Sequence, residues 1–131
     1  MGPFVATLVY FIISVIIVLI GLFIFELITR KYKDMEEVKN GNHAVALSIG
    51  GKIIGICIIL AFAIYASDVI YETIVWGIVG VVLQMIAYFL FDLLTRNFSV
   101  EEQLAKNNVA VGIMSVGVSI GLGLVIGASI T

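Results

Sequence analysis

The sequence is poor in charge, proline, cysteine and histidine. Of its 131 residues, 12% are charged and 62% are hydrophobic, whereas a soluble domain carries about a quarter charged residues. A water-soluble fold of this size has too little interior to hide so much apolar surface, and a bilayer removes the problem by acting as the solvent. The formal net charge is −2, with no basic patch and no zinc-ligand spacing, so no nucleic-acid partner is expected. The one cysteine, Cys57, allows no intrachain disulfide, and in its apolar run it reads as a small packing hydrophobe. The one histidine, His43, has no ligand cluster around it and reads as a boundary residue, so no metal site is expected. Nucleophile motifs and phosphate-binding loops are missing, which argues against an enzyme and against a cofactor. The only proline is Pro3, so no apolar run carries a proline kink.

What is present is four long apolar runs, at about 4–28, 43–66, 73–95 and 109–130. Each reaches the ~20 residues that a spanning helix needs. Backbone groups in lipid must be satisfied internally, so runs of this length predict helices. No Lys or Arg precedes Arg30, and the first run is too long for a signal peptide, so it reads as a retained span. The expected fold is an all-α integral membrane protein with the lipid bilayer as its main partner.

Charge sets the expected direction. Arg30, Lys31, Lys33 and Lys39 lie in the first connection, about 29–42, and Arg96 and Lys106 in the third, about 96–108. The second, from Ser67 to Glu72, has only Asp68 and Glu72. By the positive-inside rule the first and third connections are cytoplasmic and both termini lie outside. Tyr10, Tyr65, Tyr71 and Trp76 then mark the outer boundary, and Phe25, Tyr32, Phe91 and Phe98 the inner one.

Residues 25–55 align without a gap on residues 91–121, an offset of 66 as from Phe25 to Phe91. Thr29-Arg30, Glu36, Asn42, Gly51 and Gly55 recur as Thr95-Arg96, Glu102, Asn108, Gly117 and Gly121, and Glu26 is matched by Asp92. Apolar identities are cheap in membrane helices, but these are not. The chain therefore reads as two parallel helix–loop–helix repeats, about 4–66 and 73–130, within one membrane domain. Parallel copies differ from the inverted repeats of many secondary transporters.

In each copy an acidic-Leu-x-Thr segment closes a span and a short charged connection follows. Then comes Asn42-x-Ala44-x-Ala46 or Asn108-x-Ala110-x-Gly112, followed by Gly-xxx-Gly. This duplicated pattern resembles the small bacterial membrane family known as domain of unknown function 350, or uncharacterised protein family 0719. The likeness covers nearly the whole chain. It implies four spans in a bacterial cytoplasmic (inner) membrane, and it brings no established activity and no catalytic residue.

Several residues invite structural or functional roles. Asn42 and Asn108 stand where they would cap the second and fourth spans. Ser99, with Glu102 three residues on, fits a capping box for a short helix in the third connection, and Asp34 to Glu37 is the counterpart. Gly51-xxx-Gly55, Gly117-xxx-Gly121 and Gly123-xxx-Gly127 predict close helix packing, with spans two and four as the inner seam and one and three facing lipid. Span four has glycine to spare, which suits a homo-oligomer.

Lys52 is the most informative residue. Counted from the start of span two it lies roughly 14 Å deep at ~1.5 Å per residue, near the midplane of a ~30 Å core. Gln84 and Ser119 fall at a similar depth; Ser48, Tyr88 and Ser115 form a shallower layer, and Glu26 and Asp92 sit at the inner boundary. Lys52 reads as an interhelical lock bonded to Gln84 and Ser119, as a charge on an ion or proton pathway, or as a contact for an anionic headgroup. Its counterpart 66 residues on is Val118. The expected function is a non-enzymatic component of a membrane assembly, in envelope maintenance or stress; the inner connections read as capped connectors, or else as a docking surface for a cytoplasmic protein partner. The alternative is a homo-oligomeric channel or transporter for a small ion. A small multidrug transporter would be expected to carry an acid at mid-span, where Glu26 does not lie.

Overall fold

The computed structural model describes residues 2–28, 34–94 and 100–131. Four long helices, α1 (Pro3–Ile28), α3 (His43–Ala66), α4 (Ile70–Leu94) and α6 (Val109–Ser129), are each long and apolar enough to cross a membrane. Two short helices, α2 (Asp34–Lys39) and α5 (Val100–Ala105), join α1 to α3 and α4 to α6. Among the described residues there is no strand. Pro3 opens α1, where a missing N–H costs nothing.

The third span begins earlier than its hydropathy suggests. The connection from α3 to α4 is only Ser67 to Val69, and Tyr71 and Glu72 belong to the first turn of α4. Glu72 accepts a hydrogen bond from the Asp68 N–H (3.2 Å), so an acid at a helix start supplies an acceptor to the turn that precedes it. The Ser67 hydroxyl donates back to the Ala63 carbonyl as α3 ends.

The junctions of α2 with α3 and of α5 with α6 bond alike at positions 66 apart. At the end of α2, Gly41 N–H donates to Val38 O (3.0 Å) and Asn42 N–H to Glu37 O (2.9 Å). At the end of α5, Asn107 N–H donates to Leu104 O (3.0 Å) and Asn108 N–H to Gln103 O (2.9 Å). This is a Schellman stop, which needs a left-handed residue; Gly41 (φ 85°) and Asn107 (φ 60°) supply it. Asn42 and Asn108 then cap the next helix, their side chains accepting from Val45 N–H (3.0 Å) and Val111 N–H (3.5 Å). One residue thus ends a short helix and starts a spanning one.

α3 is the centre of the bundle. Its contact with α6 is the most extensive of the fold, α4 packs on both, and α1 lies against α3 and α4. Glycine permits the α3–α6 approach. A Cβ on Gly51 would sit 2.8 Å from the Val116 Cα, and one on Gly123 would sit 2.7 Å from the Gly55 carbonyl oxygen. Gly127 faces the Phe62 ring at similarly close range.

The expectation for Gly117 and Gly121 needs correction. A Cβ at either would meet nothing within 4 Å, so this pair is no part of the seam. α6 instead turns Gly112, Ser115, Ser119, Gly123 and Ile126 inward, and Gly117 and Gly121 lie on its other side with Met114 and Leu124. The same motif in α3 and α6 does not face the same neighbour. Cys57 likewise is exposed on α3 instead of packed in the core.

Candidate functional site

The polar residues of the spans gather in one buried core. Ser48 and Lys52 come from α3, one turn apart; Gln84 and Tyr88 come from α4, one turn apart; Ser115 and Ser119 come from α6, one turn apart. All six are buried. This i, i+4 spacing stacks each pair on one helix face, and the three faces meet.

The layer nearer α2 and α5 is a chain of hydroxyls. The Tyr88 hydroxyl lies 2.8 Å from Ser115 Oγ, and Ser115 Oγ donates to Ser48 Oγ at 3.2 Å. Three helices are joined by two bonds. In the deeper layer Gln84 Nε2 donates to the Ser119 carbonyl at 3.3 Å. Gly55 makes room for that amide, since a Cβ there would fall 2.2 Å from Gln84 Nε2. Gln84 Oε1 and Ser119 Oγ are buried without a hydrogen-bond partner, as are Ser14 Oγ and Thr73 Oγ1.

Lys52 is 3% exposed and does not bond to Gln84 or Ser119 as the sequence suggested. Its Nζ sits 5.0 Å from the centroids of both the Phe25 and the Tyr88 rings. Those rings meet edge to face, 6.0 Å apart at 86°. Among the described residues no ion pair joins Lys52 to Glu26 or Asp92. The π faces take the place of a counter-ion. The Lys52 side chain thus runs back from mid-span toward the α2 end of α3, so its charge sits shallower than its Cα, where a desolvated cation–π contact is worth about 2 kcal/mol or more. Phe25 comes from α1, so Lys52 draws α1 and α4 onto α3. Val118, its counterpart in α6, packs at the edge of the same apolar cluster of Ile17, Phe25, Ile56, Leu60, Val81, Met85 and Tyr88.

The boundary acids part company. Asp92 Oδ1 accepts from Val100 N–H (3.1 Å) and so fixes the start of α5; Glu26 is half-buried near the end of α1. Ser99, the expected cap of α5, lies outside the described residues. At the other end of α5, Asn42 Nδ2 donates to the carbonyls of Leu104 (2.9 Å) and Ala105 (3.2 Å). Asn107 Oδ1 accepts from Ala44 N–H (3.0 Å), and Asn108 Nδ2 donates to Gln103 Oε1 (2.9 Å). α5 also buries Val100 and Leu104 against Ala44, Val45 and Val111. Sequence reasoning missed Asn107 and the ring role of Phe25. The signals were an asparagine just past a helix end, where that residue tolerates a left-handed turn, and an aromatic at the depth a lysine side chain can reach.

A family model described as Domain of Unknown Function (DUF350) matches residues 1–130. The chain is 38% identical over 121 residues to the UPF0719 transmembrane protein YshE of Bacillus subtilis (strain 168), covering 92% of this chain and 90% of that protein. It is 31% identical over 103 residues to the UPF0719 inner membrane protein YjfL of Escherichia coli (strain K12), covering 79% of this chain and 76% of that protein. No solved structure matches it. The names of these relatives state a membrane location and no enzymatic activity. With four membrane-length helices and a match along almost its whole length, the chain is an all-α membrane protein and belongs to the DUF350 family.

Proposed function

We propose that the chain is a non-enzymatic component of a bacterial cytoplasmic-membrane assembly, acting in envelope maintenance, with the core around Lys52 as an internal lock. One observation carries this reading: Lys52 is buried between two aromatic rings contributed by α1 and α4. The hydroxyl chain and the Gln84 bond tie α3, α4 and α6 together in the same core. The lysine- and arginine-rich connections support a cytoplasmic α2 and α5, with both termini outside. The matching turns and caps 66 residues apart support descent of the two halves from one duplicated unit. The open Gly117 and Gly121 face of α6 suits self-association in that assembly.

The test is ion flux through liposomes holding the purified protein, read beside its oligomeric mass, for the natural chain and for Lys52→Met. The lock reading expects no flux of protons, cations or anions from either protein, and loss of assembly in the variant. Flux that Lys52→Met abolishes would instead establish the second reading, a homo-oligomeric channel or transporter for a small ion. That alternative draws on the unpartnered Gln84 Oε1 and Ser119 Oγ, acceptors buried in the same layer.

A further inference from the structure

The α3–α6 pair leaves a groove of about 500 Å³, lined by these two helices alone, chiefly His43, Ala46, Gly50 and Ile54 from α3 and Val109 and Val116 from α6. From His43 to Ile54 it runs roughly 16 Å at ~1.5 Å per residue. That is about half of a ~30 Å hydrocarbon core, the depth of one leaflet. Its walls are apolar, and glycine opens it: a Cβ on Gly50 would meet nothing within 4 Å. Gly51 beneath lies against the Val116 backbone and closes the floor.

The connection at the mouth of the groove carries one cation, Lys106. Asn42 Nδ2 holds the Ala105 carbonyl, and Asn107 Oδ1 holds the Ala44 N–H. Lys106 directly precedes Asn107 and His43 directly precedes Ala44, so the Asn107–Ala44 bond brings the two chain segments together, and both side chains are exposed. We propose that this groove seats one acyl chain of an anionic phospholipid, with the headgroup at Lys106 and His43. The length of the groove selects this occupant over a helix from a second copy. A spanning helix needs a track through both leaflets, whereas an acyl chain ends at the midplane, where Ile54 ends the groove.

Native mass spectrometry of the purified chain with added phosphatidylglycerol or phosphatidylcholine tests the proposal. The natural protein should carry phosphatidylglycerol in preference to phosphatidylcholine by about fivefold, the worth of one basic residue near anionic lipid. Lys106→Ala should erase that preference. A Cβ at Gly50 meets open space, so Gly50→Leu projects a side chain into the groove; it should cut the bound lipid of both kinds without lowering the unfolding midpoint. Gly50→Leu protein that binds lipid like the natural chain overturns the proposal, as does a natural chain with no headgroup preference. Lipid binding that persists in Gly50→Leu while the oligomeric mass falls would overturn it in favour of a second copy in the groove.

Discussion

α1 and α3 are both spanning helices of similar length, yet they hold opposite places in the bundle. α1 is the more apolar of the two and has three buried residues, Ile17, Gly21 and Phe25; α3 is less apolar and has ten. In water the greasier helix would be the core. In a bilayer, lipid tails are as apolar as leucine, so large aliphatic side chains gain little from packing inward. Small and polar residues take the centre instead, because backbones approach through glycine and because a hydroxyl, amide or ammonium has no partner in lipid. Hence α3 buries Ser48, Gly51, Lys52 and Gly55, and α1 shows Phe4, Phe11, Leu19 and Phe23 to the surroundings.

That contrast can be broken by substitution. The largest effect is expected for Gly123→Ala, whose new Cβ would strike the Gly55 backbone at 2.7–2.8 Å. Backbone cannot step aside as a side chain can, so a loss of about 3 kcal/mol, the upper range for overpacking, should appear in unfolding by a denaturing detergent. A variant as stable as the natural chain would mean the α3–α6 seam does not hold the bundle. Next comes Asn42→Ala, which removes the α3 cap and both bonds to the end of α5. About 2 kcal/mol is expected, with faster amide exchange at Val45; unaltered exchange there would refute the cap. Smallest are Leu19→Ala on α1 and Gly117→Ala on the open face of α6, each expected within about 0.5 kcal/mol of the natural chain. A larger loss at Gly117 accompanied by a lower oligomeric mass would show that this face is buried in an assembly.

Much of the architecture was legible from composition and periodicity. The four spans, the two short connecting helices and the asparagine caps follow from apolar run length and from Asn standing just before a helix. Depth counting along each span also grouped Gln84 with Ser119, and Ser48 with Tyr88 and Ser115, because rise per residue fixes depth whatever the packing. Rotation about the helix axis is what a single sequence leaves open. Gly117 and Gly121 match Gly51 and Gly55 residue for residue, yet α6 turns them outward. Lys52 shows the same gap at finer scale. Its depth is readable, but polarity alone points to polar partners, and two aromatic rings hold it instead. The start of α4 was misplaced because Tyr71 and Glu72 look like loop residues by polarity while Glu72 in fact serves the helix start.

The account turns on whether Lys52 is held by those rings. A double-mutant cycle with Lys52→Met and Phe25→Leu, measured as unfolding free energy in mixed micelles, isolates the contact. The account predicts that the two losses are non-additive, with a coupling of about 1–2 kcal/mol. Losses that add within about 0.3 kcal/mol would contradict it, leaving Lys52 a charge without a lock.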